Sequence, residues 1–149
     1  MHKFLKTMKI KRLCPNAILP RYMSKGASGL DLHAAIHEEK VLVFGERCLI
    51  PTGLCIQLPP GCEGQIRPRS GLAHNFGVTV LNSPGTIDMD YRGEIGVVLV
   101  NLGRNIATIA PGDRIAQLVV VPVEQVTITE VHDLNRTSRG DGGLGSTGL

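Results

Sequence analysis

Tryptophan is missing from this 149-residue chain, and aromatic residues make up only 3% of it. Its core must therefore be built from Val, Ile and Leu. Charge of one sign is also scarce: the formal net charge is +3, too small to argue for a nucleic-acid partner. Five basic residues (Lys3, Lys6, Lys9, Lys11 and Arg12) crowd into the first twelve positions, where lysines beside a terminus read as solvated. The same stretch lacks the apolar stretch of a secretory signal, and no apolar run is long enough to span a bilayer. A cytoplasmic protein with neither nucleic-acid nor membrane partners is expected. Cys14, Cys48, Cys55 and Cys62 show no CxxC spacing, which predicts reduced thiols acting as small apolar fillers. The histidines are scattered, with no zinc-type cluster. Internal repeats and long helical periodicity are both absent.

What the chain does have is glycine and proline, 18 and 9 of them, with 42% apolar and 19% charged residues. That balance describes a globular domain with many turns. Short β-branched runs recur at Val41–Phe44, Leu49–Leu58 (broken by Pro51 and Gly53), Val78–Leu81, Ile95–Val100, Ile106–Ile109, Ile115–Val123 and Val126–Val131. Turn signals separate them, so the expectation is an all-β sandwich or barrel. The one helical candidate is Ser70–Phe76, with Ser70 as cap and Gly77 as terminator. Residues 1–136 read as a single β domain. Residues 137–149 hold five glycines and only two large apolar side chains, which predicts a flexible arm.

Five stretches carry polar groups suited to chemistry. Gly85-Thr-Ile-Asp-Met-Asp-Tyr-Arg-Gly-Glu94 follows the turn Asn82-Ser-Pro-Gly85, and reads as the second strand of a hairpin begun by Val78–Leu81. Its alternation puts Ile87, Met89 and Tyr91 on one face and Asp88 and Asp90 on the other. Exposed paired acids can simply solubilise a strand, or one of them can do chemistry. In Arg67-Pro-Arg69-Ser-Gly71, guanidinium forks, a hydroxyl and helix-terminal N–H groups suit phosphate oxygens; a structural arginine pair is the alternative. Gln117 sits within an apolar run, where an amide needs a local partner or a polar site, and Arg114 beside Asp113 reads as an ion pair. Asp31 lies between Leu30 and Leu32, so alternation turns it away from the core. Finally, Arg139, Ser146 and Thr147 among the arm's glycines resemble a phosphate cradle.

In this order, Ala27–Ala34, Arg67–Ala73, Asn82–Glu94, Gly112–Leu118 and Arg139–Gly148 resemble the five motifs of the homotrimeric dUTPases (deoxyuridine triphosphate nucleotidohydrolases). The resemblance implies a jelly-roll-like (β-clip) subunit, a homotrimer with active sites at subunit interfaces, and Mg²⁺-assisted hydrolysis of dUTP to dUMP and pyrophosphate. It implies Asp88 as the base acting on the attacking water. Asn82 and the backbone around it (Gly85, Thr86, Ile87) would read the uracil edge, with Met89 also at the substrate, and Tyr91 would pack on the deoxyribose. Arg69, Ser70, Gly71 and Gln117 would hold phosphates, and Asp31 would reach Mg²⁺ through a water. The arm would close over the nucleotide through Arg139, Leu144, Gly145, Ser146 and Thr147. Leu144 stands where the family usually has Phe; without a π-face to stack on uracil, a weaker lid with intact chemistry is expected. A dCTP deaminase, a dUTP-sensing regulator and a purely structural jelly roll remain as alternatives.

Overall fold

The computed structural model describes residues 6–144. Within them run β1 (Lys9–Arg12), β2 (Leu30–His33), β3 (Lys40–Leu42), β4 (Arg47–Pro51), β5 (Leu54–Gln57), β6 (Cys62–Arg67), α1 (Ser70–Phe76), β7 (Val78–Val80), β8 (Gly85–Ile87), β9 (Gly96–Asn101), β10 (Ala107–Ile109) and β11 (Arg114–Pro122). A four-stranded sheet in the order β2-β11-β6-β8 and a three-stranded sheet β4-β9-β7 are accompanied by the two-stranded ribbons β1-β5 and β3-β10. Every one of these pairings is antiparallel. This is the expected all-β, jelly-roll-like subunit.

The core is aliphatic, as the lack of aromatics requires. Leu32, Leu42, Ile50, Leu54, Ile95, Leu99, Ile109, Ile115 and Leu118 are fully buried, whereas Tyr22, Phe44, Phe76 and Tyr91 all lie exposed. Strand β6 alternates cleanly, with Cys62, Gly64 and Ile66 inward and Glu63, Gln65 and Arg67 outward. Gly64 leaves room for its neighbours there: a Cβ would stand 2.9 Å from Leu118 Cδ1 and 3.3 Å from Ile87 Cβ. All four cysteines are free thiols, and burial pushes the Cys48 thiol up. Among the described residues no helix is long and apolar enough to cross a membrane.

Four local expectations are corrected. The N-cap of α1 is Arg69, in an extended conformation and without a side-chain capping bond, while Ser70 is already the first helical residue. Gly77 does end the helix, in the left-handed region at φ 70°. Strands β7 and β8 do not form a hairpin; β7 pairs with β9 and β8 with β6, so the turn at residues 81–84 crosses between sheets. Beyond Ile87 the alternation stops, because Tyr91 N donates back to Asp88 O at 3.1 Å and folds residues 88–94 into a loop. Val126–Val131 forms no strand: Val126 and Ile128 are exposed and have no ladder partner among the described residues.

Candidate active site

Asp31 is buried to 2% exposure, contrary to the outward position that alternation predicts. Strand β2 has both faces covered, so Leu30, Asp31 and Leu32 are all buried. A carboxylate in such a place must be compensated. Gln117 Nε2 donates to Asp31 Oδ1 at 3.0 Å, Arg114 Nη1 donates to Oδ2 at 3.2 Å, and Arg69 Nη2 lies 3.9 Å from the same oxygen. Antiparallel register makes this possible, since Gln117 of β11 stands directly opposite Asp31. Gly29 makes room for the amide: a Cβ there would press on Gln117 Cβ at 3.1 Å. The expected Asp113–Arg114 ion pair is not formed. Asp113 Oδ2 instead accepts from Ala110 N at 2.8 Å, closing the turn around Gly112. Arg67 and Arg69 also part company: Arg67 binds Gln65 Oε1, and Arg69 Nη1 donates to Arg114 O at 3.1 Å. Ser70 and Gly71 lie exposed on the first turn of α1, next to Arg69.

The second group is the loop after β8. Gly85 is buried, and Asn82 Nδ2 lies 3.2 Å from where a Cβ on it would be. Arg92 Nη1 bonds Met89 O and Tyr91 O, both at 2.7 Å, and Tyr91 Oη donates to Glu94 O at 3.0 Å. The Glu94 carboxylate accepts from Gly53 N at 2.7 Å, and Thr52 Oγ1 donates to Ile95 O at 2.7 Å, so the far end of the loop is stitched to the turn before β5. Asp88 lies exposed within this loop, and among the described residues its carboxylate has no hydrogen-bond partner.

One chain keeps these groups apart. Asp31 on β2 and Ile87 on β8 occupy opposite edges of the four-stranded sheet. The two edges are about 14 Å apart across the strands. Ile87 opposes Gly64, three residues from the Arg67 that opposes Gln117, which adds roughly 10 Å along the sheet. Arg139 belongs to neither group; its Nε donates to Gly142 O at 2.9 Å inside its own segment. Leu144 is fully exposed with φ 47°. Gly145, Ser146 and Thr147 lie outside the described residues.

The family profile described as dUTPase matches residues 15–148. The chain belongs to the dUTPase family. A deoxyuridine 5'-triphosphate nucleotidohydrolase of Neorickettsia sennetsu is 60% identical over 130 residues, 87% of either chain. One from Syntrophotalea carbinolica is 51% identical over 96% of this chain and 97% of its own. Among solved structures, the dUTPase of Staphylococcus bacteriophage 80alpha with dUPNHPP superposes with a TM-score of 0.84 at 28% identity, covering 96% of this chain and 99% of that one. A point mutant of the dUTPase from phage phi11 of S. aureus, described as coordinating a structural Mg(II) ion, gives a TM-score of 0.76 at 25% identity, over 85% and 97% of the two chains.

Within this dUTPase-family chain, sequence reasoning misses two residues that organise the site. It pairs Arg114 with the wrong acid, because the break in register that turns Arg114 toward Asp31 is invisible in sequence. Glu94 carries no signal beyond its place at the end of the motif. For Mg²⁺, the described residues offer no cage of three His, Cys, Asp or Glu side chains. They fit an ion carried on substrate phosphates, which Mg²⁺ favours. Asp31 accepts two hydrogen bonds, from Gln117 and Arg114, which leaves carboxylate lone pairs for a water.

Proposed function

We propose that the protein hydrolyses dUTP to dUMP and pyrophosphate, with Asp88 as the general base. The observation that carries this assignment is the contrast between two acids. Asp31 is engaged by Gln117, Arg114 and Arg69, whereas the Asp88 carboxylate is exposed and has no partner among the described residues. Only the latter is unengaged and open to a water. Asp88 accepts a proton from that water, the water oxygen bonds to the α-phosphorus, and the bond from that phosphorus to the α–β bridging oxygen breaks, releasing pyrophosphate. A positioned base supplies about 10²–10⁴-fold of such a rate.

Arg69, Ser70, Gly71 and Gln117 hold the phosphates. Mg²⁺ carried on the substrate would neutralise phosphate charge, and Asp31 would reach it through a water. Asn82, with Gly85, Thr86 and Ile87, reads the uracil edge; Met89 borders the substrate, and Tyr91 packs on the deoxyribose to exclude a 2′-hydroxyl. The separation of Asp88 from Arg69 in one chain supports a site completed by a second copy, hence a homotrimer with interface sites. The unpaired apolar residues Val126, Ile128 and Val131 support the same conclusion, since such a segment needs a neighbour to cover it. Residues 1–136 act as the domain and 137–149 as the arm, with Arg139, Leu144, Gly145, Ser146 and Thr147 closing on the nucleotide. The reaction, in the cytoplasm, keeps uracil out of DNA and supplies dUMP for thymidylate synthesis.

Pyrophosphate release tests this, with dUTP compared against dTTP, dCTP and UTP in Mg²⁺, and repeated on Asp88→Asn. Turnover confined to dUTP, and reduced about a hundredfold or more in the variant, is expected. Ammonia release from dCTP, or binding of dUTP without turnover in the parent protein, would overturn it.

A further inference from the structure

Strand β11 carries a break in its pairing with β2. Arg114 stands opposite His33 and Ala116 opposite Leu32, so Ile115 is an extra residue in the ladder. Such a bulge re-aims the groups on either side of it. Here it frees the Arg114 carbonyl from the ladder's regular spacing and leaves it accepting Arg69 Nη1 at 3.1 Å. The Arg114 side chain turns the other way, onto Asp31 Oδ2 at 3.2 Å. The same carboxylate oxygen faces Arg69 Nη2 at 3.9 Å. Arg69 is thus held at two points, by the backbone of Arg114 and by the acid that the Arg114 side chain fixes.

We propose that Arg114 is a positioning residue for Arg69: it locks the buried Asp31 carboxylate so that Arg69 presents its remaining N–H groups to the phosphate chain. The inference rests on the assignment of Arg69 to phosphate made above. A guanidinium loses less conformational freedom on binding when one end is already clamped, because its planar fork is then pre-oriented. Asp31 carries one negative charge against two guanidiniums, so the cluster keeps a net positive charge for an anion. Arg114 is also half-exposed, at 44% of its side chain, so its loss strips a constraint without opening the core.

The test is steady-state kinetics with dUTP on the full-length protein, together with competitive inhibition by dUMP and a melting curve for each variant. Loss of one clamp on a phosphate-binding guanidinium should raise KM for dUTP about tenfold in Arg114→Ala. It should leave kcat within about twofold and dUMP inhibition nearly unchanged, because the longer phosphate chain is what Arg69 holds. Arg114→Lys, which keeps a cation for Asp31, should recover most of the affinity. In an Asp31→Asn background the Arg114→Ala effect should vanish, since the residue acts through that carboxylate. An unchanged KM, additive effects of the two substitutions, or a fall in kcat at constant KM would each overturn the proposal. If Arg114→Ala does not fold, Arg114→Gln, which keeps most of the side-chain volume without the cation, takes its place: the same rise in KM is expected, and an unchanged KM overturns the proposal. Arg69→Ala separates the two layers of the argument. If it leaves dUTP affinity intact, the phosphate assignment itself fails. If it weakens affinity while Arg114→Ala does not, only the positioning role fails.

Discussion

Asn101, at the end of β9, is completely buried, and its side chain is a three-way junction. Nδ2 donates to Leu42 O at 2.8 Å and to Asn105 O at 2.9 Å, and Oδ1 accepts from Gly103 N at 2.8 Å. Asn101→Asp keeps the volume and the acceptor but removes both donors. Two carbonyls are then stranded, at about 1–3 kcal/mol each. The new carboxylate must also bury its charge against them or stay protonated. A loss of at least ~3 kcal/mol is expected, which for a chain of this size lowers Tm by roughly 6–12 °C. The damage should reach the site. Gly103, held by Asn101, packs so closely on Gly77 and Phe76 that a Cβ on either glycine would overlap the facing backbone. That contact seats the end of α1, whose first turn carries Ser70 and Gly71. Thermal unfolding of the variant, followed by KM for dUTP on the folded fraction, checks both parts. A melt within about 3 °C of the parent would refute the reasoning, because it would mean that the two carbonyls find other partners at little cost.

The loop after β8 and strand β2 each offer a sharper perturbation. A Cβ at Gly93 would overlap the hydroxyl end of Tyr91, so Gly93→Ala should displace the ring. The fold should hold, since the loop is exposed, while preference for dUTP over UTP falls about tenfold; unchanged discrimination in a two-substrate assay would contradict this. His33 has its pKa lowered from 6.5 by burial, with Arg114, Arg21 and Arg69 pushing the same way and Asp31 opposing; its buried Nδ1 has no partner among the described residues. The folded chain resists a proton that the unfolded chain accepts, so this residue's contribution is intact above about pH 6.5 and is lost as pH falls from there toward the lowered value. Urea midpoints at about pH 7.5 and about pH 5.5 should therefore draw closer together in His33→Gln than in the parent. Equal differences in the two proteins would exclude His33 as the source.

The strands most legible in sequence are those that bury Val, Ile and Leu in period two, such as Val97 and Leu99 of β9. Strand β6 is hard to see because only Ile66 among its inward residues is large and apolar; Cys62 and Gly64 do the remaining packing. Pairing is less legible than strand existence. Nothing local in Val78–Ile87 tells that its two strands join different sheets, because that choice is made by the closure of the whole domain. Asp31 defies its pattern for a related reason: alternation assumes one wet face, and β2 has none.

The site divides along the same line. Motif order, read through the family resemblance, singles out Asp31, Arg69, Gln117, Asp88 and Tyr91 as candidates for the phosphate, base and sugar contacts. What binds them together is not visible. The bulge at Ile115 that aims Arg114 and the Glu94–Gly53 bond that ties down the loop both depend on which backbones meet. Val126–Val131 takes this one step further. It has the composition of a strand, yet a strand exists only with a ladder partner, and among the described residues it has none. Under the homotrimer proposed above, its pattern would be written for a neighbour's sheet edge. Asp31 on β2 and Ile87, the residue before Asp88, stand roughly 17 Å apart across one sheet by strand spacing, a separation that supports the same proposal. Under that proposal, local sequence specifies the parts of a shared site and a second copy of the chain completes it.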